Sequence, residues 1–109
     1  MELTTVNEFE EIVSADSSEK EIIIFKYSPI CPISKRIERE FDRWFESKNS
    51  DLTLYKINVI SSRTLSTHLA DYFNITHESP QLIWLDEELK VKANNSHYQI
   101  DEEFLNGNL

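Results

Sequence analysis

Residues 21 to 34 read Glu-Ile-Ile-Ile-Phe-Lys-Tyr-Ser-Pro-Ile-Cys-Pro-Ile-Ser and hold the chain's one cysteine, Cys31, at the junction of two elements. Glu21 to Tyr27 is a short β-branched and aromatic run, the composition of a strand buried on both faces. From Pro32 the period becomes helical. Ile33, Ile37, Phe41, Trp44 and Phe45 share one face, while Lys35, Arg36, Glu38, Arg39, Asp42 and Arg43 fill the other. Cys31 is thereby placed at the N-cap and Pro32 at the first helical position, where the amide that proline lacks has no intrahelical partner.

That placement carries chemistry. The amides of Ile33 and Ser34 point back towards the sulfur, and the positive end of the helix dipole favours a thiolate over a thiol. Lys35 and Arg36, with Lys26 at the end of the strand, add positive charge, so the sequence predicts a lowered thiol pKa. A lone cysteine is more often a buried, inert small hydrophobe. Strand, turn, N-cap and proline in succession favour the reactive reading. Spacing limits the reaction, because Ser34 occupies the second position of a Cys-x-x-Cys motif. Ser34 can donate a hydrogen bond to the thiolate but cannot resolve a mixed disulfide.

The 109 residues, 39% hydrophobic, suit one domain over residues 1–109 with a modest core. One glycine and three prolines exclude glycine-rich phosphate loops and low-complexity linkers. A net charge of -9 argues against nucleic acid or an anionic membrane as partner. The charge is uneven: Glu2, Glu8, Glu10, Glu11, Asp16, Glu19 and Glu21 face only Lys20 in the first segment, whereas Lys26, Lys35, Arg36 and Arg39 form a basic island around Cys31. The first residues lack the basic and apolar regions of a secretory signal, and no stretch reaches the ~20 apolar residues of a membrane span. A single free thiol suits a reducing compartment, so the expected location is cytoplasmic. No metal site is expected: His68 lies among polar residues without a second ligand at helical spacing.

In chain order, residues 6 to 14 read as a helix with Asn7 as N-cap, and Asp51 to Val59 as a second strand parallel to the first through a crossover. The helix between these strands is expected to end near Ser47 to Ser50. Ser61 or Ser62 caps a further helix with Leu65, Leu69, Tyr72 and Phe73 inward. Asn74 to Ser79 is a loop, Pro80 to Leu85 a third strand, Leu89 to Ala93 its hairpin partner, Asn94 to Gln99 a polar loop, and Ile100 to Leu105 a short helix with Asp101 as cap.

This order, with a cysteine at the start of the first crossover helix, resembles the thioredoxin fold: α/β, with a four-stranded mixed sheet flanked by helices. Ile22 to Cys31, Tyr55 to Val59 and Ser79-Pro80 carry the likeness. The resemblance implies a cis Ser79-Pro80 bond facing Cys31, with the Ser79 backbone free to pair with a substrate main chain. The Cys31-Pro-Ile-Ser34 turn, with Phe25-Lys26 before it and Ser96-His97 near the end, is similar to the YtxJ-type monothiol bacilliredoxins. Tyr27 and Pro29 depart from that family, which carries histidine and threonine there.

The family resemblance implies thiol exchange through Cys31 on client proteins S-thiolated by bacillithiol, a malate-bearing thiol that is a co-substrate rather than a bound cofactor. Its partners would be those clients and a low-molecular-weight thiol with its reductase system. Cys31, Pro32 and Ser34 would form the catalytic turn, and Ser28, Ile33, Lys35, Arg36, Ser79 and Pro80 the binding residues. Peroxiredoxins share the Ser28-x-x-Cys31 spacing but are longer, and cluster-binding monothiol glutaredoxins need a Cys-Gly-Phe-Ser turn and a late glycine pair. The alternative is a non-catalytic thioredoxin-fold binding or thiol-sensing module.

Overall fold

The apolar run after Asp16 to Lys20 becomes the strand on which the other elements assemble. In the computed structural model, which describes residues 1–48 and 51–109, strand β1 (Glu21–Tyr27) is buried along its length except at its two ends. It is flanked on one side by β2 (Leu52–Asn58), in parallel, and on the other by β3 (Gln81–Leu85), antiparallel; β4 (Val91–Ser96) closes the far edge. The sheet order is therefore β2-β1-β3-β4. No helix among the described residues is long and apolar enough to cross a membrane.

Strand geometry sends alternate side chains to opposite faces, and each face of β1 nucleates its own core. Ile23 and Phe25 join Leu82, Trp84 and the inner face of α2 (Pro32–Lys48), with Ile37, Phe41 and Trp44, and are closed over by Ile100 and Leu105. Ile22 and Ile24 join Ile57, Ile83 and Leu85 beneath Phe9 of α1 (Val6–Val13) and Leu65 and Leu69 of α3 (Arg63–Phe73). The Phe25 and Phe41 rings stack 4.7 Å apart, which ties α2 to the central strand. After β4 a single 3-10 turn (His97–Gln99) leads to α4 (Glu102–Gly107), whose predicted cap Asp101 accepts a hydrogen bond from the Phe104 amide at 2.9 Å.

Several expectations change. The cap of α1 is Thr5 rather than Asn7, because Thr5 and Glu8 form a reciprocal capping box that Asn7, already inside the helix, cannot make. Ser62 is the N-cap of α3, but its side chain makes no capping bond. Asn58 instead accepts from the amides of Ile60 and Ser61 and shapes the turn into the helix. Tyr72 is exposed, and covers the edge of Phe9 from outside. The hairpin partner starts at Val91 and continues through Asn94–Ser96, residues read as loop, since the backbone of an edge strand pairs whatever its outward side chains. The predicted end of α2 extends into residues 49 and 50, which lie outside the described residues; the described helix runs to Lys48.

Lys26 is the largest departure. It belongs to the face of β1 that carries Ile22 and Ile24, and it is fully buried. Its Nζ donates to the Ser66 carbonyl of α3 at 2.9 Å and lies 3.2 Å from Nδ1 of His77. Burial pushes its pKa down from the usual 10.5 to about 8. Below pH 8 the ammonium therefore lowers stability, because the unfolded chain holds that proton more tightly. The cost fades as pH rises through about 8 towards 10.5. Lys26→Met should accordingly match or exceed the wild type in stability at neutral pH, by about 1 kcal/mol. Urea unfolding of both proteins at pH 7 and pH 10 should show that advantage shrinking on the alkaline side; a difference that does not change with pH would contradict the assignment.

Candidate active site

Helix α2 begins at Pro32, and its first internal hydrogen bond runs from the Lys35 amide to the Cys31 carbonyl at 3.0 Å. Cys31 thus stands at the N-cap, where the sequence places it, partly exposed and with no other thiol in the chain. The amides of Ile33 and Ser34, in the first turn, have no acceptor further back in the helix.

Ser34 differs from expectation. It is buried, and its Oγ accepts a hydrogen bond from the Ser28 amide at 2.8 Å rather than bonding the Cys31 sulfur. That bond ties the last residue before the turn to the first turn of α2, so the loop from 28 to 34 is closed on itself with Cys31 on its outer side. Ser34 continues inward as Ile37 and Phe41 at helical spacing, which displaces Ile33 from the buried face. Ile33 is 40% exposed and Ile30 77% exposed, giving the cysteine an apolar rim.

The loop before β3 lies at the same end of the sheet. Ser79-Pro80 is cis, as the resemblance implies. Gln81, next in sequence, is the register partner of Lys26 in β1, so Pro80 falls level with the end of the strand that leads to Cys31. The loop is fastened repeatedly. The Gln81 side chain donates to the Thr76 carbonyl at 2.8 Å and accepts from the Glu78 amide at 3.4 Å. Ser96 Oγ donates to the Glu78 carboxylate, and the His97 amide donates to the Pro80 carbonyl at 3.0 Å. The late Ser96-His97 pair therefore reaches this loop, through a side chain in Ser96 and through backbone in His97. Ser79 Oγ is buried without a hydrogen-bond partner among the described residues.

Charge around the turn is thinner than the sequence suggests. Lys26 points away into the α3 face, and Lys56 is held between Glu38 and Asp42 at 2.7 and 2.8 Å. Burial alone would lower the pKa of Lys56, but its hydrogen bonds to Asp42 and Glu38 raise it. Arg36 lies 3.5 Å from Glu40 on the exposed face, whereas Lys35 has no carboxylate within ion-pair distance among the described residues. Tyr27, one of the two departures from the family pattern, donates to Glu2 at 2.7 Å; burial and that carboxylate push its pKa up to about 12.

The structure thus gathers Ser28, Cys31, Pro32 and Ser34 in one turn, brings Ser79 and Pro80 to the same end of the sheet through strand register, and leaves Lys35 and Arg36 on the open side of α2. His77, Glu78 and Gln81 were missed by the sequence reading. The available signal was Lys26 itself, since a lysine inside a strand buried on both faces must find acceptors nearby. Ser34→Ala should leave the buried Ser28 amide without its acceptor and lower stability by about 1–3 kcal/mol. Guanidinium unfolding measures this, and an unchanged midpoint would mean that the bond does not hold the turn.

Comparison with known proteins agrees with this geometry. Among solved structures, a protein described as a candidate oxidoreductase with a thioredoxin fold superposes with a TM-score of 0.83 at 24% identity, covering 99% of this chain and 91% of that one. The thioredoxin of Fasciola hepatica gives 0.72 at 14% identity, with 97% and 92% covered. The thioredoxin of Malassezia sympodialis gives 0.70 at 14%, with 97% and 84% covered. These likenesses establish the thioredoxin fold. The family model described as monothiol bacilliredoxin BrxC matches residues 1–105, nearly the whole chain and all of the turn and loop described above. With one cysteine at the start of α2 and a buried serine where a second would stand, the chain belongs to the monothiol bacilliredoxin BrxC family, and its chemistry is thiol redox chemistry on a thioredoxin fold.

Proposed function

We propose that the protein removes bacillithiol from mixed disulfides on client proteins, with Cys31 as the nucleophile, in a reducing cytoplasm. One observation carries the reading: the only thiol of the chain sits partly exposed at a helix N-terminus, and Ser34, in the resolving position, is committed to the Ser28 amide. Exchange must then be monothiol. The Cys31 thiolate attacks the bacillithiol sulfur of the mixed disulfide. A Cys31–bacillithiol disulfide forms, the client–bacillithiol bond breaks, and the client sulfur leaves with the electron pair and takes a proton from water. A second bacillithiol thiolate then attacks the bacillithiol sulfur of the adduct; the Cys31–bacillithiol bond breaks, Cys31 leaves as the thiolate, and bacillithiol disulfide is left for a separate reductase.

The remaining residues bind and orient. The first-turn amides of Ile33 and Ser34, together with Lys35 and Arg36, favour the malate carboxylates of the adduct. Ile30 and Ile33 offer apolar surface to the client, and the Ser79 backbone beside cis Pro80 pairs with its main chain. Pro32 fixes the start of α2, and Ser28 with Ser34 holds the turn.

Purified protein incubated with a bacillithiolated model protein should release the client thiol and acquire one bacillithiol mass on Cys31, while Cys31→Ala should lose at least about 100-fold in rate. Absence of transfer to or from any low-molecular-weight thiol would favour the non-catalytic binding or sensing module instead. The double variant Lys35→Glu/Arg36→Glu should raise KM for the bacillithiolated substrate roughly fivefold and flatten its salt dependence. A KM that stays put would remove these two residues from the binding surface.

A further inference from the structure

The Lys26 side chain lies on the face of β1 whose apolar core is built by Ile22, Ile24, Phe9, Leu65 and Leu69, and the burial of its ammonium works against stability. Packing alone gives no reason for a charge there. The side chain is, however, the register partner of Gln81, the residue after cis Pro80, and directly opposed residues of an antiparallel pair point to the same face. Lys26 and Gln81 therefore form one polar platform under the loop of residues 74–79.

His77 is the part of the loop that meets Lys26. The residue is exposed overall, yet its Nδ1 faces inward, 3.2 Å from Lys26 Nζ and 3.3 Å from Ser66 Oγ. An ammonium has three donors and no acceptor, so Nδ1 must accept, which requires a neutral imidazole with its proton on Nε2. Beside it, Gln81 fixes Thr76 and Glu78, and Ser96 fixes the Glu78 carboxylate. Ser79 lies between the fastened Glu78 and cis Pro80.

We propose that Lys26 and His77 are positioning residues for the exchange reaction, a latch in which the buried ammonium holds His77 and thereby sets where the Ser79 backbone meets a client's main chain. The proposal rests on the exchange reading only in assigning that main chain to a thiolated client; the latch is a property of the loop. It is closed when Lys26 is protonated and His77 neutral. The groups that face His77 are Lys26, Ser66, Arg63 and Glu78. Burial, Lys26 and Arg63 push its pKa below the usual 6.5, against an opposing pull from Glu78. As pH falls through that lowered value, Nδ1 becomes a donor opposite an ammonium, and the latch opens. On the alkaline side a neutral amine can still donate to Nδ1, so loss above about pH 8 is shallow.

Three variants test this: His77→Leu, which removes the acceptor; His77→Asn, whose Oδ1 takes the place of Nδ1 but does not titrate; and Lys26→Met. The readouts are amide hydrogen-exchange protection of residues 76–79, KM and kcat for a bacillithiolated protein, and the alkylation rate of Cys31 by iodoacetamide, a probe too small to need the loop. At pH 7, His77→Leu and Lys26→Met should lose about tenfold in loop protection and gain about tenfold in KM, with kcat and alkylation near wild type. The wild type should lose loop protection as the pH falls below the usual imidazole value of 6.5, whereas His77→Asn should keep both a low KM and its protection over the same range. Wild-type loop protection and KM in His77→Leu would overturn the latch, as would loosening below pH 6.5 that persists in His77→Asn. Should Lys26→Met fail to fold, the two variants at exposed His77 still decide the matter. A wild type that does not exchange with thiolated protein would defeat the exchange reading alone, because loop protection judges the latch without turnover.

Discussion

A strand buried on both faces must satisfy every polar group where it stops, and the end of β1 is where this molecule meets that constraint. Inside the strand the backbone is paired to β2 and β3 on either side. Beyond Tyr27 the ladder ends while the chain is still covered, so each polar group needs a particular partner. The Ser28 amide takes Ser34 Oγ, and the Lys26 ammonium takes the Ser66 carbonyl and His77. An unpaired group at either place would cost about 1–3 kcal/mol, a large share of a small domain's stability. Both bonds reach outward, to the cysteine turn and to the loop before β3. These two segments are thereby positioned by the same strand end, and the relation between them is set by the core.

Where the sequence was legible, a single periodicity governed many residues at once. The apolar run of β1 matches the strand from Glu21 to Tyr27, and the change of period at Pro32 places Cys31 at the N-cap. The cis bond came with the resemblance and could not come from local physics, since an X-Pro bond is cis in only about 5–6% of cases. Illegibility began where a polar residue held an inward position. The sequence reading gives Ser34 as a donor to the thiolate and puts Ile33 in the core, because hydrophobicity ranks isoleucine as the inward residue. The hydrogen bond to Ser28 reverses the order by giving the serine a reason to be inside. Lys26 is counted in that reading as positive charge around Cys31, although the structure buries it on the other face. Asn94 to Ser96 looked like loop because strand propensity reports side-chain packing, and β4 is an edge strand whose backbone pairs only with β3.

Electrostatics follow the same division between charge that is present and charge that is available. A chain of net charge -9 carries several cations near its cysteine, yet Lys26 is consumed by the core, Lys56 by Glu38 and Asp42, and Arg36 is opposed by Glu40. Lys35, Arg39 and the helix N-terminus remain. The backbone dipoles of α2 are the part of the local field at the turn that the fold fixes and side-chain motion does not remove.

The single thiol is then more than a missing second cysteine. In a dithiol turn the fourth position must be able to approach the first sulfur during exchange. Here that position is a buried serine whose oxygen is the acceptor for a buried amide, and a thiol in its place would be a weaker acceptor in a site cut to a smaller atom. Restoring Cys-x-x-Cys would put resolving chemistry and the closure of the turn in competition for one side chain. The structure gives that side chain to closure, so on the proposed exchange reading the electrons that regenerate Cys31 would come from a second molecule. An open approach to the sulfur suits that requirement, and the exposed rim of Ile30 and Ile33 leaves one.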